Sequence, residues 1–367
     1  MPAATVSPDP GRFGRELSTR LRRHFEETGT GPGADALMRA KLVLGFAAFA
    51  LTYAAMGVFD LSPAGFLLVY VAHGATHLFL LLNVGHDANH GAISRSARVN
   101  DLFSFAMDLC GVNSRMWRVA HHKAHHYCTN LHPFDEAIDG RGLLRLSPEA
   151  PWRPAHRWQH LYAPALYALI SLDYVLVRDF EYYLRPNKDV LRAAERPRRA
   201  WAFLFASKAA YLVAMIAVPA WVFGYGGWPT LVAFLLAHLI VGLGAAVVFQ
   251  TTHALPDNRF PAAPEEIDDH VLHTFATTVD CAPESRLHNL WTGGLNAHVI
   301  HHLHPRICHT HYPALSRIVR ETAEDCGIPY RSHPGFGPAL AAHWRLLRRL
   351  GAGPGAPESA TPRAAPA

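Results

Sequence analysis

Charge is scarce in this chain and unevenly spread. Of 367 residues only 17% are Asp, Glu, Lys or Arg, while 50% are hydrophobic. Leu61 to Gly85 carries no charged residue, and neither does Ala209 to Pro256. Runs of that length exclude an ordinary soluble surface and read as bilayer-spanning. Cysteine is scarce too. Cys110, Cys128, Cys281, Cys308 and Cys326 are scattered and form no C-x-x-C pair, so neither a disulfide framework nor a thiolate metal site is expected. The Pro- and Arg-rich N-terminal stretch has no apolar core before Leu42, so no cleavable signal peptide is expected. There is no His-Glu-x-x-His, no Gly-x-Ser-x-Gly and no Walker loop, which removes the commonest hydrolytic and nucleotide chemistries. The formal charge of +5 is modest, and no aromatic–basic interleaving marks a nucleic-acid surface. Internal repeats are lacking as well.

Four spans emerge from what is present: Leu42–Phe59, Ala64–Val84, Trp201–Phe223 and Thr230–Gln250. Each is near the ~20 residues that cross a ~30 Å hydrocarbon layer. The first pair is joined by Asp60-Leu61-Ser62-Pro63 and the second by Gly224-Tyr225-Gly226-Gly227-Trp228-Pro229. Trp221, Tyr225 and Trp228 fit an interfacial aromatic belt. Residues 1–35 read as a polar segment with a short helix at Arg15–Glu27, residues 36–350 as the membrane domain, and residues 351–367 as a disordered tail. Lys and Arg are absent from both connecting turns but plentiful in the N-terminal and central regions. By the positive-inside rule both termini and all three histidine clusters are expected on the cytoplasmic side.

Histidine is the conspicuous abundance. His86 and His90 follow the second span. His121, His122, His125 and His126 crowd the segment after Trp117, and His298, His301 and His302 form a third cluster. On an α-helix residues i, i+3 and i+4 share a face, so the first and third sets each converge. In the second set that spacing prefers His122 over His121. These are too many imidazoles for one tetrahedral ion, and they point to two transition-metal ions. If the clusters share one site they lie on one side of the membrane. An even number of crossings then separates the second from the third, which places Leu161–Val177 along the interface or against the bundle. A metal site with no protein nucleophile leaves the chemistry to the metal. Two ferrous ions with O2 can attack an unreactive C–H bond of a lipid reached from the bilayer, with a tunnel between spans fixing the carbons presented.

Neighbouring polar residues carry two readings. Asp87 either fixes the tautomer of a ligating imidazole or caps local backbone, and Asn130 and Asn296 are similar. His73 and His77, inside the second span, read as bonded to a neighbouring helix. Asp135, Glu136 and Asp139 read as a solvated loop. His309 and His311 either line the site or bind nothing.

The segments Gly85-His86-Asp87-Ala88-Asn89-His90-Gly91, Trp117 through His121 to Thr129-Asn130, and Gly293-Gly294-Leu295-Asn296-Ala297-His298 through His302 to Pro305 resemble the membrane fatty-acid desaturases, in particular the linoleoyl-CoA-desaturase-like and front-end branch. The resemblance extends over about residues 40–350. It implies an all-α, integral-membrane, four-helix transmembrane bundle with a cytoplasmic helical di-iron cap. It also implies two non-haem Fe ions, with O2 as co-substrate. The flanking Trp117 and Asn130 place the second-cluster ligand on His121, against the spacing, with His122 as its rival. A further ligand falls on His253. His298 stands where front-end relatives often carry Gln, and Pro305 where many carry an aromatic residue. The expected partners are a fatty acyl substrate on CoA, carrier protein or phospholipid, membrane lipid, and a ferredoxin or cytochrome b5 with its reductase. The expected location is a bacterial plasma membrane. The competing outcome on the same scaffold is lipid hydroxylation. A metal-binding transporter would place its ligands at the bilayer midplane instead.

Overall fold

The computed structural model describes residues 8–184 and 192–353, so the expected tail lies outside the described residues beyond Gly353. Within hydrocarbon every backbone polar group must be satisfied inside its own segment, and the uncharged runs accordingly form helices. Four are long and apolar enough to cross a membrane: Ala36–Val58, Pro63–His90, Arg198–Val222 and Gly227–His253, numbered here as spans 1 to 4. Span 1 begins before the apolar run does. Asp35 caps it, its carboxylate accepting the Met38 N–H at 2.7 Å. Span 2 begins with Ser62 as cap and Pro63 at the first position.

The turn between spans 3 and 4 passes through Gly224 and Gly226 at φ 82° and 81°, backbone that side-chain-bearing residues rarely adopt. Between them Tyr225 stacks on Phe66 (3.9 Å, 17°) and donates to the Met56 carbonyl at 2.9 Å, tying the two turns together. Trp221 and Trp228 remain exposed, as a belt at the lipid interface requires. Spans 2 and 4 approach closely at Gly74, where a Cβ would come within 2.8 Å of Ala237. The outer face of span 1 leaves Val43, Leu44 and Leu51 exposed to the bilayer.

The segment Leu161–Val177 belongs to two helical stretches, Pro154–Ala168 and Ile170–Leu184, bent by 56°. The pair packs against span 4, with Gly242 seated on the Ala168 carbonyl. Past the span ends, short helices form a cap, among them Ala97–Leu109, His270–Thr277, His298–Leu303 and Tyr312–Asp325. A two-residue parallel pairing, Asp280 with Ser332 and Cys281 with His333, is the sole ladder among the described residues.

The helix expected at Arg15–Glu27 spans Pro10–Thr28, with Asp9 as cap and Gly29 ending it at φ 63°. Its Phe13, Leu17 and Leu21, one turn apart, are buried with Phe275, Ile300, Leu315 and Val319. Each such side chain contributes ~1.5–3 kcal/mol by leaving water, so this polar-looking segment is docked into the cap.

Candidate metal centre

Span 2 delivers its histidines through a widened turn. Leu81–Gly85 is π-helical, His86–His90 returns to α geometry, and Gly91 ends it at φ 74°. The second cluster is built the same way. Ser114–Val119 is α-helical, and Ala120–His125 is π-helical. The His126 N–H donates to the His121 carbonyl, five residues back, at 3.0 Å. This extra residue per turn overturns the α-helical spacing argument that favoured His122. It brings His121 onto the face of His125 and His126.

Two groups of four result. In one, His86, His90, His121 and His301 hold their ligand-capable nitrogens within 4.8 Å of one another. In the other, His125, His253, His298 and His302 do the same. His126 lies between the groups: its Nε2 is 3.2 Å from His121 Nε2, and its ring stacks on His302 at 4.3 Å. All nine are buried. His122 belongs to neither group and stacks on His90 at 4.4 Å.

In the second group, and at His301, one ring nitrogen is tethered and the other is freed. His125 Nδ1 donates to Asp135 (2.9 Å), His298 Nδ1 to the Leu295 carbonyl (2.9 Å), and His253 Nδ1 to the Thr277 carbonyl (3.3 Å). His301 Nδ1 lies 3.4 Å from the Tyr312 hydroxyl. The Nε2 atoms of His86, His90, His253, His298, His301 and His302 are buried without a protein partner. Buried polar atoms left open in such number require an occupant. Burial and neighbouring imidazoles push His121, His126, His301 and His302 well below the ordinary histidine range, and His298 down to about 3. The rings are therefore neutral, the form that ligates. An all-nitrogen donor set in two clusters fits two transition-metal ions.

The polar neighbours resolve unevenly. Asp87 does not orient a cluster histidine: its Oδ2 accepts both the backbone N–H (3.0 Å) and Nδ1–H (2.7 Å) of His309, while His86 Nδ1 stays 3.8 Å from its other oxygen. His309 in turn meets Lys41 Nζ at 2.7 Å, so Asp87, His309 and Lys41 brace span 1 to the cap. Asn130, at φ 60°, donates to the His253 carbonyl at 3.0 Å and supports that ligand-capable residue through backbone. The Asn296 side chain accepts from the Thr292 hydroxyl and donates to the Ala282 carbonyl, so its hydrogen bonds go to neither histidine group. The solvated-loop reading fails for Asp135, which is fully buried and accepts from His125, from the Asn130 N–H and from the Ala137 N–H. Its irregular loop has no periodicity, and only its position ten residues past a clustered histidine hinted at it. His73 and His77 pair inside the bundle, His73 Nδ1 with the Thr52 hydroxyl and His77 Nδ1 with the His73 carbonyl, each at 2.9 Å.

Beside the first group opens a cavity of about 500 Å³. His86, His121, His125 and Trp117 line it beside the histidine groups, and Leu172, Val241 and Phe249 line its apolar length. Glu136, Arg141, Asp173 and Arg178 also border it.

A family model described as "Fatty acid desaturase" matches residues 61–334. The chain belongs to the fatty acid desaturase family. Among its relatives are the sn-1 linoleoyl-lipid 6-desaturase of Arthrospira platensis, 31% identical over 93% of either chain, and that of Synechocystis sp., 30% identical over 92% of this chain and 95% of the relative. The acyl-lipid (8-3)-desaturase of Physcomitrium patens is 31% identical over 74% of this chain and 57% of its own length. The protein is accordingly a membrane-embedded oxidoreductase, a fatty acyl desaturase, and the hydroxylase alternative is not favoured.

Proposed function

We propose that the two histidine groups hold two iron ions and that the desaturase inserts its double bond into an acyl chain carried by a membrane lipid. The observation that carries this reading is the meeting of both four-histidine groups with one long apolar cavity. His86, His90, His121 and His301 would hold one ion, and His125, His253, His298 and His302 the other, with His126 between them. When bound, the iron pair supplies O2-dependent oxidation of unactivated C–H bonds. The chain's own residues do the rest. Leu172, Val241 and Phe249 exclude water and hold the acyl chain extended, which presents one pair of carbons to the centre. Asp135 and the Leu295 and Thr277 carbonyls fix which nitrogen of His125, His298 and His253 faces inward.

A lipid-linked substrate is supported by the printed names of the relatives, which act on linoleoyl-lipid and acyl-lipid. It is supported too by Leu169, Leu176 and Val177, which border the cavity and are at the same time exposed on the bent segment. The electrons would come from a ferredoxin or cytochrome b5. The charge distribution favours a cytoplasmic cap, in a bacterial plasma membrane. The test is gas chromatography–mass spectrometry of derivatised lipids from cells fed linoleate, expressing the chain or His302→Ala with a matched donor. A new double bond present only with the unaltered protein supports the reading. A hydroxylated product, or purified protein that binds no iron, overturns it.

A further inference from the structure

Desaturation by O2 is a four-electron reduction to two waters. The acyl chain gives up two hydrogens, hence two electrons and two protons. The other two electrons must enter from outside, with two protons from solvent. A protein carrier can reach the buried centre only where its histidines approach the surface, because electron transfer falls steeply with distance.

One residue of the three clusters meets that condition. His86, His90, His121, His125, His126, His298, His301 and His302 are all buried, whereas His122 is partly exposed. His122, like His126, belongs to neither group of four, and its ring, with Nε2 turned inward and unpartnered, stacks on His90 at 4.4 Å with 26° between planes. The other aromatic neighbour, Trp117, stacks on His121 at 4.2 Å but lines the apolar cavity, where the acyl chain would bar a protein partner. The surface around His122 is cationic. Lys123 is next to it and exposed, and Arg306, also exposed, lies within electrostatic range of the ring, as does Arg118. Arg118 is occupied by Asp101 (3.0 Å) and Asn89 (2.9 Å). Among the described residues no carboxylate lies within ion-pair distance of Lys123 or Arg306.

Resting on the di-iron reading above, we propose that His122 is the electron-entry residue of this enzyme, and that Lys123 and Arg306 dock a small acidic one-electron carrier protein over it. Each reduced carrier docks, gives one electron through the His122–His90 stack and leaves oxidised; two such visits complete the pair. His122 thus positions a redox partner and holds no metal. The cationic rim steers encounter, so docking weakens with salt.

The probe is a reduced plant-type [2Fe–2S] ferredoxin, with cytochrome b5 as a second arm, and the full-length protein in detergent. Affinity is measured with metal-free and iron-loaded protein across ionic strength, and ferredoxin reoxidation is followed by stopped-flow absorbance. Neither readout needs the lipid product, so a wrong substrate assignment leaves both interpretable. The double variant Lys123→Glu/Arg306→Glu is expected to weaken ferredoxin or cytochrome b5 binding about tenfold or more at low salt and to flatten its salt dependence. Iron content and dithionite-driven turnover should not change. His122→Ala is expected to keep binding and iron but to slow reoxidation at least about tenfold, with His122→Trp restoring part of the rate. Unchanged reoxidation in an iron-replete His122→Ala protein overturns the conduit, and iron loss in that variant makes His122 a ligand instead. Charge reversal that abolishes binding to phosphatidylglycerol vesicles but leaves both carriers' affinity unchanged would assign the cationic rim to lipid and overturn the docking face.

Discussion

The molecule buries histidine in two places to different ends. In the cap, rings from four separated segments converge, several with one nitrogen tethered and six with Nε2 unpartnered. Within the bundle, His238 is satisfied on both sides, by the Ser171 hydroxyl at 2.7 Å and the Tyr211 hydroxyl at 2.9 Å, while His73 and His77 are each bonded through Nδ1 and leave Nε2 open without joining a group of four. Burial alone therefore does not mark a site. Convergence with open nitrogens does, because only an ion can satisfy several neutral acceptors aimed at one point.

The comparison breaks most decisively by truncating one ring from each side. His298→Ala and His301→Ala, one per group, should each lose bound metal and at least ~100-fold in product formation. His238→Ala should keep its metal. Metal analysis of purified protein, with product measured in parallel, checks this, and metal loss from His238→Ala would erase the distinction. Removing a tether while keeping the ring is milder. Asp135→Asn should leave the fold intact and reduce metal retention and activity ~10–100-fold, read after dialysis against a chelator.

The cap histidines also make acid stability state-dependent. His298 is pushed down to about 3 by burial, and its cap neighbours well below the usual range. The unfolded chain therefore binds protons first as pH falls through ~6.5. Stability contributed by these neutral rings is present above that value and is lost as pH falls toward about 3, at up to ~1.4 kcal/mol per pH unit for each ring. Metal-free protein should lose melting temperature between pH 7 and pH 5, and His298→Ala should lose less. Equal slopes would remove the cap from the account. The smallest effect belongs to the bundle. Ser171→Ala, which strips one bond from His238, should cost only ~0.6–2 kcal/mol of thermal stability with turnover nearly unchanged.

Much of this was legible in one dimension. Scarcity of charge located four spans to within a few residues, and the one charge inside the expected runs, Lys208, is not isolated but paired with Asp179 at 2.6 Å. A shared site, taken as the premise, required an even number of crossings between the second and third clusters, and the resemblance carried by Trp117 and Asn130 favoured His121, which the fold groups with His86, His90 and His301. The helix ends were less legible: Asp35 and Ser62 set them through caps that lie outside the apolar runs. Local spacing misjudged the second cluster, since an i, i+3, i+4 rule presumes α geometry and Ala120–His125 is π-helical. Asp135 and His309 were hidden for a different reason. Their partners His125 and Asp87 are brought to them by an irregular loop and by a contact across 222 residues.

Sequence by itself therefore determined what hydrocarbon and metal demand: uncharged helical runs, and imidazoles where those runs end. Tertiary structure alone decided which nitrogens face inward, which carboxylate holds them there, and that one histidine of the clusters, His122, reaches the surface. Composition and periodicity act locally along the chain, while the direction of a buried ring is set by whatever distant backbone packs against it.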